Sequence, residues 1–267
     1  MDAPREDAPE ADAQKGDARK AEAPADRVRA EKRAAAAAAV ALVEDGMAVG
    51  LGTGSTATLA IAELGARVRA GLSVVAIATS ERSAAQARAL GIPLTDFAAR
   101  TRLDLTIDGA DQIARGALAL VKGLGGALLR EKIVAAASDR LVIVADRSKL
   151  VDRLGGPVPV EVVVFGWQTT AERIGRLGGA VRPRQAPDGG LFRSDGGNLI
   201  LDCDFGPIAD PAVLAAALAA TVGVIETGLF LGMTALALVA GPTGVTRLVP
   251  SSGLFNPPQA RPEGGVP

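Results

Sequence analysis

Short apolar runs that alternate with helical segments limit the fold of this chain more than any other feature. The first four runs lie at residues 47–51, 72–78, 103–107 and 141–145. Continuous apolar runs of this length are typical of strands buried on both faces of a parallel sheet, because helices cover each face. The sequence therefore predicts an α/β fold with a doubly wound, mostly parallel, Rossmann-like sheet. This catalytic domain takes residues 26–155 and 228–250, and the apolar runs 228–230 and 235–239 are expected to return to the same sheet.

The pattern changes after residue 155. A strand, helix, strand, strand, helix, strand order predicts a smaller inserted α+β ferredoxin-like domain over residues 156–227. Residues 1–25 and 251–267 are rich in small, charged, proline or glycine residues. Segments of this composition bury too little apolar surface to offset the entropy of ordering. We therefore expect a disordered tail at each end.

The composition excludes several classes of function. The 267 residues include no histidine and one cysteine, Cys203, and the formal net charge is -1. Ser-His-Asp, Cys-His and His-zinc chemistries are excluded, and no intramolecular disulfide can form. A charge near zero gives no basic surface for a nucleic-acid partner, and no apolar run predicts a membrane span. We expect a cytoplasmic protein in which carboxylates and lysines carry out any acid–base chemistry.

A turn rich in glycine and hydroxyl groups, Gly52-Thr-Gly-Ser-Thr56, follows the first strand and begins a helix. The N–H groups and the dipole at a helix start favour an anion, so the turn is suited to the phosphate of a small substrate. The spacing also fits a dinucleotide-binding turn, but no acidic residue ends the second strand. A purely structural turn is the third interpretation.

Charged residues are concentrated after the third strand. Asp108-Gly-Ala-Asp111 places two carboxylates three residues apart, and Lys122 begins a glycine-rich loop. Close like charges raise one carboxylate pKa while a lysine lowers it, so the group can hold a proton donor and a proton acceptor near neutrality. A solvated turn, a helix cap at Asp111 and a magnesium site are the alternatives.

Glu131 and Lys149 complete the candidate residues. Glu131 lies early in a predicted helix, where its spacing alone favours an exposed charge that interacts with the helix dipole. Lys149 follows the strand that ends at Ala145 and is either a second phosphate contact or a solvated lysine. Because the carboxyl ends of parallel strands meet at one edge of the sheet, we expect these loops to converge there.

Taken together, these motifs resemble the A-type ribose-5-phosphate isomerase family. The segments that carry the resemblance are Val49-Gly-Leu-Gly-Thr-Gly-Ser-Thr56, Asp108-Gly-Ala-Asp111, Lys122-Gly, Arg130-Glu131-Lys132-Ile133, Ala145-Asp-Arg-Ser-Lys149, Pro157-Val-Pro-Val-Glu161-Val162 and Glu226-Thr-Gly-Leu-Phe230. The resemblance implies interconversion of D-ribose 5-phosphate and D-ribulose 5-phosphate in the non-oxidative pentose phosphate pathway. It also implies no cofactor, no metal, and a homo-oligomer that is a dimer or a dimer of dimers.

The resemblance assigns roles to individual residues. It implies that Glu131 is the general base that moves a proton between C2 and C1 through an enediolate, assisted by Asp108, Asp111 and Lys122. The residues that it places against the substrate are Thr53, Gly54, Ser55, Thr56, Asp108, Gly109, Ala110, Asp111, Lys122, Gly123, Leu124, Gly125 and Lys149.

The chain departs from the family pattern near the predicted site. Gln112 stands where glutamate is usual, and Leu124 stands where a third consecutive glycine is usual. A positive φ at Leu124 would cost about 1 kcal/mol or more. Two other functions are weighed against isomerisation: a sugar-phosphate sensor without turnover and a nicotinamide-dependent dehydrogenase. The joint presence of the three carboxylates and Lys122 favours catalysis.

Overall fold

The computed structural model describes residues 24–251. Except for residues 24, 25 and 251, the two predicted tails therefore lie outside the described residues. The helices are α1 Pro24–Val40, α2 Ser55–Arg69, α3 Glu81–Ala89, α4 Leu128–Ala136, α5 Trp167–Gly175 and α6 Pro211–Ala219. The strands are β1 Ala48–Leu51, β2 Val75–Ala78, β3 Leu105–Asp108, β4 Gln112–Ala114, β5 Leu120–Val121, β6 Leu141–Asp146, β7 Leu150–Val151, β8 Pro157–Val162, β9 Ala180–Pro183, β10 Leu199–Asp204, β11 Val224–Thr227, β12 Leu229–Phe230, β13 Thr234–Gly241 and β14 Gly244–Leu248.

The central sheet has the strand order β14-β13-β6-β3-β1-β2. Its strands pair in parallel except for the antiparallel edge strand β14. Every residue of β1, β3 and β6 is buried, as expected for strands covered by helices on both faces. The alanine side chains of α1, among them Ala35, Ala36 and Ala39, pack into this core. The predicted α/β class is confirmed.

The order in which successive strands are added to the sheet reverses at β1. Strand β2 lies on one side of β1, and β3 lies on the other. In an open parallel sheet, such a reversal leaves a crevice outside the carboxyl ends of the two strands, where ligands bind. The Gly52-Thr-Gly-Ser-Thr56 turn follows β1, and Asp108 is the last residue of β3. The two predicted motifs therefore meet at this crevice.

A second sheet has the antiparallel order β11-β8-β10-β9 and carries α5 and α6. Its strand and helix sequence is the βαββαβ order of a ferredoxin-like unit, so this part of the predicted fold class is observed. Its core is formed by Val158, Val160, Val162, Ile174 and Leu218. The predicted domain boundaries at residues 155 and 228 stay a prediction.

A third small sheet, with the order β12-β5-β4-β7, corrects one expectation. Both apolar runs after residue 227 were expected to return to the central sheet. Only β13 does so, whereas β12 pairs with β5. A strand of two residues has no periodicity to show its partner, so the sequence pattern could not assign it. The pairing matters for the site because β5 ends directly before Lys122, whose N–H donates to the carbonyl of Gly228 at 2.9 Å. Within residues 24–251, no helix has the length and apolar character needed to cross a bilayer.

Candidate active site

Asp108 connects the end of β3 to the turn after β1. Its Oδ1 accepts hydrogen bonds from the N–H of Thr53 at 3.0 Å and from the N–H of Gly109 at 2.7 Å. Gly52 permits this approach, because a Cβ at Gly52 would lie 2.1 Å from Asp108 Oδ1 and 2.6 Å from its Cα. The glycine of the turn is therefore required by close packing of the two strand ends.

Lys122 lies between two buried carboxylates. Its Nζ is 2.9 Å from Asp108 Oδ2 and 3.3 Å from Glu131 Oε1, and it donates to the carbonyl of Gly109 at 2.6 Å. The residues are 2 % exposed for Lys122, 1 % for Asp108 and 3 % for Glu131. One ammonium group is thus shared by two carboxylates in a site almost free of solvent contact.

Burial governs the protonation of this group. It raises the pKa of Glu131 to about 8, because attraction to Lys122 offsets the loss of hydration only in part and repulsion by Asp108 adds to it. Burial also raises the pKa of Asp108, despite Lys122 and the two backbone donors. For Lys122, burial lowers the pKa, but attraction to the two carboxylates outweighs it and the net pKa is raised. Lys122 is therefore charged at neutral pH, and Glu131 can exchange a proton there.

Glu131 is buried although its spacing favoured an exposed charge. It lies in the first turn of α4, where its N–H bonds the carbonyl of Ala127 at 2.9 Å. Its Oε1 faces Lys122, and its Oε2 is buried without a hydrogen-bond partner among the described residues. A buried carboxylate oxygen that is not engaged can accept a proton from a bound molecule.

Asp111 supports the loop that follows Lys122. Its Oδ2 accepts the N–H of Leu124 at 2.9 Å. In this loop the positive φ angles belong to Gly123 at 99° and Gly126 at 85°, and Leu124 has no positive φ. The backbone strain considered for Leu124 is therefore absent, and its side chain is 48 % exposed.

Gln112, the other departure from the family pattern, bonds away from this site. Its Nε2 donates to the carbonyl of Gly155 at 2.7 Å, and its Oε1 accepts the N–H of Gly155 at 2.9 Å. The amide of Gln112 thus bonds both the C=O and the N–H of Gly155, as a neighbouring backbone strand would. It joins β4 to the segment that precedes β8 and contributes no group to the carboxylate cluster.

Helix α2 begins within the Gly52-Thr-Gly-Ser-Thr56 turn, which the sequence suggested for phosphate binding. Gly54 precedes it with φ 116°, and no side chain caps the first N–H groups of the helix. The hydroxyl of Thr53 instead contacts those of Thr79 at 2.7 Å, Ser80 at 2.7 Å and Ser83 at 3.2 Å. The sequence predicts that Thr79-Ser80, after the second strand, lies at the same edge of the sheet as this turn, but it does not predict these hydrogen bonds. The buried hydroxyl cluster holds the turn in place, and the start of the helix remains open to an anion.

Lys32 on α1 was also missed by the sequence interpretation. Its Nζ donates to the hydroxyl of Ser55 at 3.0 Å and lies 3.9 Å from Asp146 Oδ2. It therefore places a cation beside the open start of α2. An alanine-rich helix with scattered charges gives no signal that would single out this lysine.

A single cavity of about 80 Å³ brings most of the predicted residues together. Its lining residues are Thr53, Gly54, Ser55, Thr56, Gly109, Ala110, Asp111, Lys122, Gly123, Gly125, Glu131 and Lys149. Two residues predicted to contact substrate do not line it: Asp108 is buried behind Lys122, and the side chain of Leu124 is exposed. Over residues 24–251, no group of three His, Cys, Asp or Glu side chains is arranged to hold a metal ion.

Comparison with known proteins gives one consistent result. The family description "Ribose 5-phosphate isomerase A (phosphoriboisomerase A)" matches residues 75–244. The chain is 60% identical over 223 residues to "Ribose-5-phosphate isomerase A" of Gloeobacter violaceus, which covers 83% of this chain and 96% of that one.

Solved structures agree with the sequence comparison. The structure of ribose 5-phosphate isomerase A from Methanocaldococcus jannaschii is similar with a TM-score of 0.79 and 37% identity, over 82% of this chain and 98% of that one. A D-ribose-5-phosphate isomerase in complex with phospho-erythronic acid is similar with a TM-score of 0.80 and 33% identity, over 83% and 99%. The resemblance seen in the motifs is confirmed: this chain belongs to the ribose 5-phosphate isomerase A family of aldose–ketose isomerases.

Proposed function

We propose that this protein interconverts D-ribose 5-phosphate and D-ribulose 5-phosphate through an enediolate, with Glu131 as the general base. The observation that carries the proposal is Oε2 of Glu131, a buried carboxylate oxygen without a described partner, on a cavity that Lys122 also lines. Membership of the isomerase family supports the reaction, and the raised pKa of Glu131 supports its role as a group that takes and returns a proton.

The proposed reaction moves one proton between adjacent carbons. Glu131 takes the proton from C2 of the open-chain aldose, the C–H electrons form the C1–C2 double bond, and the C1 carbonyl electrons move to O1. The O2 proton then passes to O1 while the O2–H electrons form the C2 carbonyl, and the C1–C2 double-bond electrons take the proton of Glu131 at C1. The product is the ketose, and Glu131 is regenerated. The Lys122 ammonium group lies 3.3 Å from Glu131 Oε1, where it can stabilise negative charge that develops on O1 and O2.

We assign Asp111 and Asp108 to supporting roles. Asp111 lines the cavity, so its carboxylate can exchange protons with substrate hydroxyl groups during ring opening. Asp108 is separated from the cavity by Lys122 and acts by holding that lysine in place and charged. This refines the family-based assignment, in which both aspartates touch the substrate.

The phosphate of the substrate is assigned to the start of α2. No side chain caps the start of α2, Ser55 and Thr56 line the same cavity as Lys149, and Lys32 donates to the hydroxyl of Ser55. Charged donors and a helix dipole together favour a phosphate over a neutral group. The phospho-erythronic acid bound to the related isomerase is also a phosphate ester of a short sugar derivative, which supports a ligand of this class.

The proposed chemistry uses no metal ion. A charged Lys122 occupies the space between two carboxylates in which a divalent cation would otherwise neutralise charge. Its ammonium group provides the electrostatic stabilisation that a metal provides in other isomerases. This assignment concerns the donor groups of the chain, and a chelator tests it directly.

The proposal extends to the setting of the enzyme, a cytoplasmic homo-oligomer in the non-oxidative pentose phosphate pathway. Assembly is supported by neighbouring exposed apolar side chains, Val163, Val164 and Phe165, the last of which is 94 % exposed. Patches of this kind mark contact surfaces between proteins. Light scattering of the purified chain tests assembly, and a monomer at working concentration contradicts it.

The deciding experiment follows ketose formation from ribose 5-phosphate by wild-type protein, with and without a chelator, beside Glu131→Gln and Glu172→Gln. Glu172 is an exposed glutamate on α5 that pairs with Arg176, so it serves as the matched control. We expect turnover that is insensitive to chelator, a fall in kcat of about 100-fold or more for Glu131→Gln, and no change for Glu172→Gln.

Binding of phospho-erythronic acid, measured by calorimetry, separates catalysis from ligand recognition. Glu131→Gln keeps the open helix start and both cavity lysines, so we expect its affinity to remain within a few-fold of wild type. Binding without turnover by the wild-type protein would favour the sensor function. Full activity of Glu131→Gln would exclude Glu131 as the base.

A further inference from the structure

Arg184, in the ferredoxin-like unit, reaches the loop that follows Lys122. It lies directly after β9, and its Nη1 donates to the carbonyls of Gly123 at 2.9 Å and Leu124 at 3.1 Å. These two carbonyls belong to consecutive peptide groups of the loop that lines the cavity. A side chain from one unit therefore contacts the backbone of the active-site loop in the other.

The guanidinium group of Arg184 is itself held on two sides. Asp202 on β10 pairs with it through both carboxylate oxygens, with Nε 3.0 Å from Oδ2 and Nη2 bonded to Oδ1. The centroid of the Phe192 ring lies 5.9 Å from the guanidinium carbon, and the side chain of Arg184 is 12% exposed. A planar guanidinium that is fixed in this way can orient its remaining donor with little loss of entropy.

Both polar groups of the first peptide, Gly123–Leu124, are hydrogen-bonded. Arg184 binds the carbonyl of Gly123, and on the opposite side of the same peptide the N–H of Leu124 donates to Asp111 Oδ2 at 2.9 Å. In a trans peptide the C=O and N–H point in opposite directions, so these two contacts fix the rotation of the whole group.

The second peptide group is held at one end. Arg184 binds the carbonyl of Leu124, so the N–H of Gly125 points the other way, and Gly125 lines the cavity. This N–H has no acceptor among the described residues. A backbone N–H without an acceptor at the wall of a buried site is a donor of the type that stabilises oxyanions.

We propose that Arg184 is a positioning residue, which orients the Gly123–Leu124 and Leu124–Gly125 peptides so that the ferredoxin-like unit completes the active site. The inference rests on the proposed isomerase site. Arg184 touches neither the cavity nor the catalytic carboxylates, so its effect is transmitted through the two peptide groups. Phe192 supports the same loop, because a Cβ at Gly126 would lie 2.5 Å from its ring.

The test compares Arg184→Ala and Arg184→Lys with Arg182→Ala. Arg182 is an exposed arginine on β9, so it controls for charge and location. Displacement of a catalytic loop by about 1 Å can cost about 100-fold in rate. We expect kcat to fall about 10- to 100-fold for Arg184→Ala with a smaller change in KM, a partial loss for Arg184→Lys, and wild-type values for Arg182→Ala.

Two further measurements distinguish positioning from general stability. Added guanidinium, well below denaturing concentrations, should restore part of the kcat of Arg184→Ala and leave Arg184→Lys unchanged, since the lysine fills the space. Amide hydrogen exchange at Leu124, whose N–H donates to Asp111 in the wild type, should accelerate in Arg184→Ala and stay unchanged in Arg182→Ala. Wild-type kcat and wild-type exchange in Arg184→Ala would overturn the inference.

The design also separates this inference from the proposed function. If the wild-type protein does not isomerise ribose 5-phosphate, the proposed function fails, and the exchange experiment still decides whether Arg184 holds the loop. If the wild type is active and Arg184→Ala loses activity without guanidinium rescue and without faster exchange in the loop, the positioning role is excluded and the reaction stands.

Discussion

Nζ of Lys122 lies 3.3 Å from Oε1 of Glu131, and both side chains are almost completely buried. An ion pair in such a site is weakened because each partner loses its hydration, and here the same lysine is shared with Asp108 at 2.9 Å. The pKa of Glu131 therefore rises to about 8 although a cation is adjacent. This balance makes Glu131 a base whose protonation changes near physiological pH.

The rate of isomerisation should depend on the ionisation of Glu131. Only the deprotonated carboxylate can take the C2 proton, and its pKa in the free protein is raised to about 8. We expect kcat/KM to increase about tenfold per pH unit below this value and to level off above it. The substrate phosphate has its second pKa near 6 and so titrates in a lower range.

Initial rates between pH 6.5 and 9.5 at low substrate concentration measure this profile. Glu172→Gln serves as the control and should give the same midpoint as wild type. A rate that is constant across this range would show that Glu131 is fully ionised at neutral pH, contrary to the effect of its burial.

Removal of the Glu131 charge should stabilise the fold at high pH. In the folded protein the pKa of Glu131 is about 8, against 4.5 ordinarily, so the folded state binds more protons than the unfolded state between these values. Stability contributed by this group is therefore fully present below about pH 4.5 and is lost as pH rises through about 8. Glutamine does not ionise and avoids that loss.

Urea unfolding of wild type and Glu131→Gln at pH 5 and pH 9 tests the sign. We expect a small difference at pH 5 and a clear gain in the free energy of unfolding for the variant at pH 9. For a chain of this size, each 1 kcal/mol corresponds to about 2–4 °C in Tm. A variant that is less stable than wild type at pH 9 would mean that Lys122 stabilises the charged form more than burial penalises it.

The sequence predicted the part of the fold that depends on periodic apolar runs. The strands of the parallel sheet and the βαββαβ unit were identified because burial on a sheet or helix face leaves a pattern in the chain. The third sheet was missed, since β5, β7 and β12 have two residues each. Elements this short are selected by tertiary pairing and have no pattern of their own.

The candidate site residues were likewise predictable where the local sequence carries a signal and not where tertiary contacts decide their position. Local chemistry singled out Asp108 and the turn after β1, because their glycine, hydroxyl and carboxyl groups follow strand ends, where ligands bind in an open parallel sheet. Spacing alone gave the wrong environment for Glu131, which is buried because its helix starts beneath the glycine loop. Lys32 could not be predicted, since it meets Ser55 from a helix 23 residues earlier in the chain.

The two lysines near the start of α2 should affect substrate affinity more than turnover. Lys149 lines the cavity, and Lys32 donates to Ser55 at 3.0 Å, so both place positive charge where the phosphate is assigned. A hydrogen bond to a charged group contributes about 1.5–3 kcal/mol, so we expect KM to rise about 10-fold or more for Lys149→Ala. For Lys32→Ala we expect a smaller rise, because it acts partly through Ser55.

Steady-state kinetics with ribose 5-phosphate measure both variants beside Arg33→Ala. Arg33 is exposed on α1 next to Lys32 and should have wild-type KM and kcat. Calorimetry with phospho-erythronic acid should show the same order of affinities. A fall in kcat at unchanged KM for Lys149→Ala would place this lysine at the reacting carbons instead of the phosphate.

The close contact between the ends of β1 and β3 leads to the last prediction, for Gly52→Ala. The new Cβ would lie 2.1 Å from Asp108 Oδ1 and 2.6 Å from Asp108 Cα, so a side-chain rotation cannot relieve the contact and the backbone must move. Overpacking of this kind costs about 1–3 kcal/mol. Because Asp108 holds Lys122 at 2.9 Å, its displacement should also lower kcat by about 100-fold.

Gly175→Ala is the matched control for Gly52→Ala. A Cβ at Gly175, the last residue of α5, has no atom within 4 Å, and alanine favours the helix by up to about 1 kcal/mol. We expect urea unfolding to show equal or greater stability and unchanged kcat for this control. If Gly52→Ala loses stability but keeps full kcat, the position of Asp108 does not govern Lys122. If Gly52→Ala keeps both its stability and its kcat, the ends of β1 and β3 can move apart without cost, and their close contact is not required.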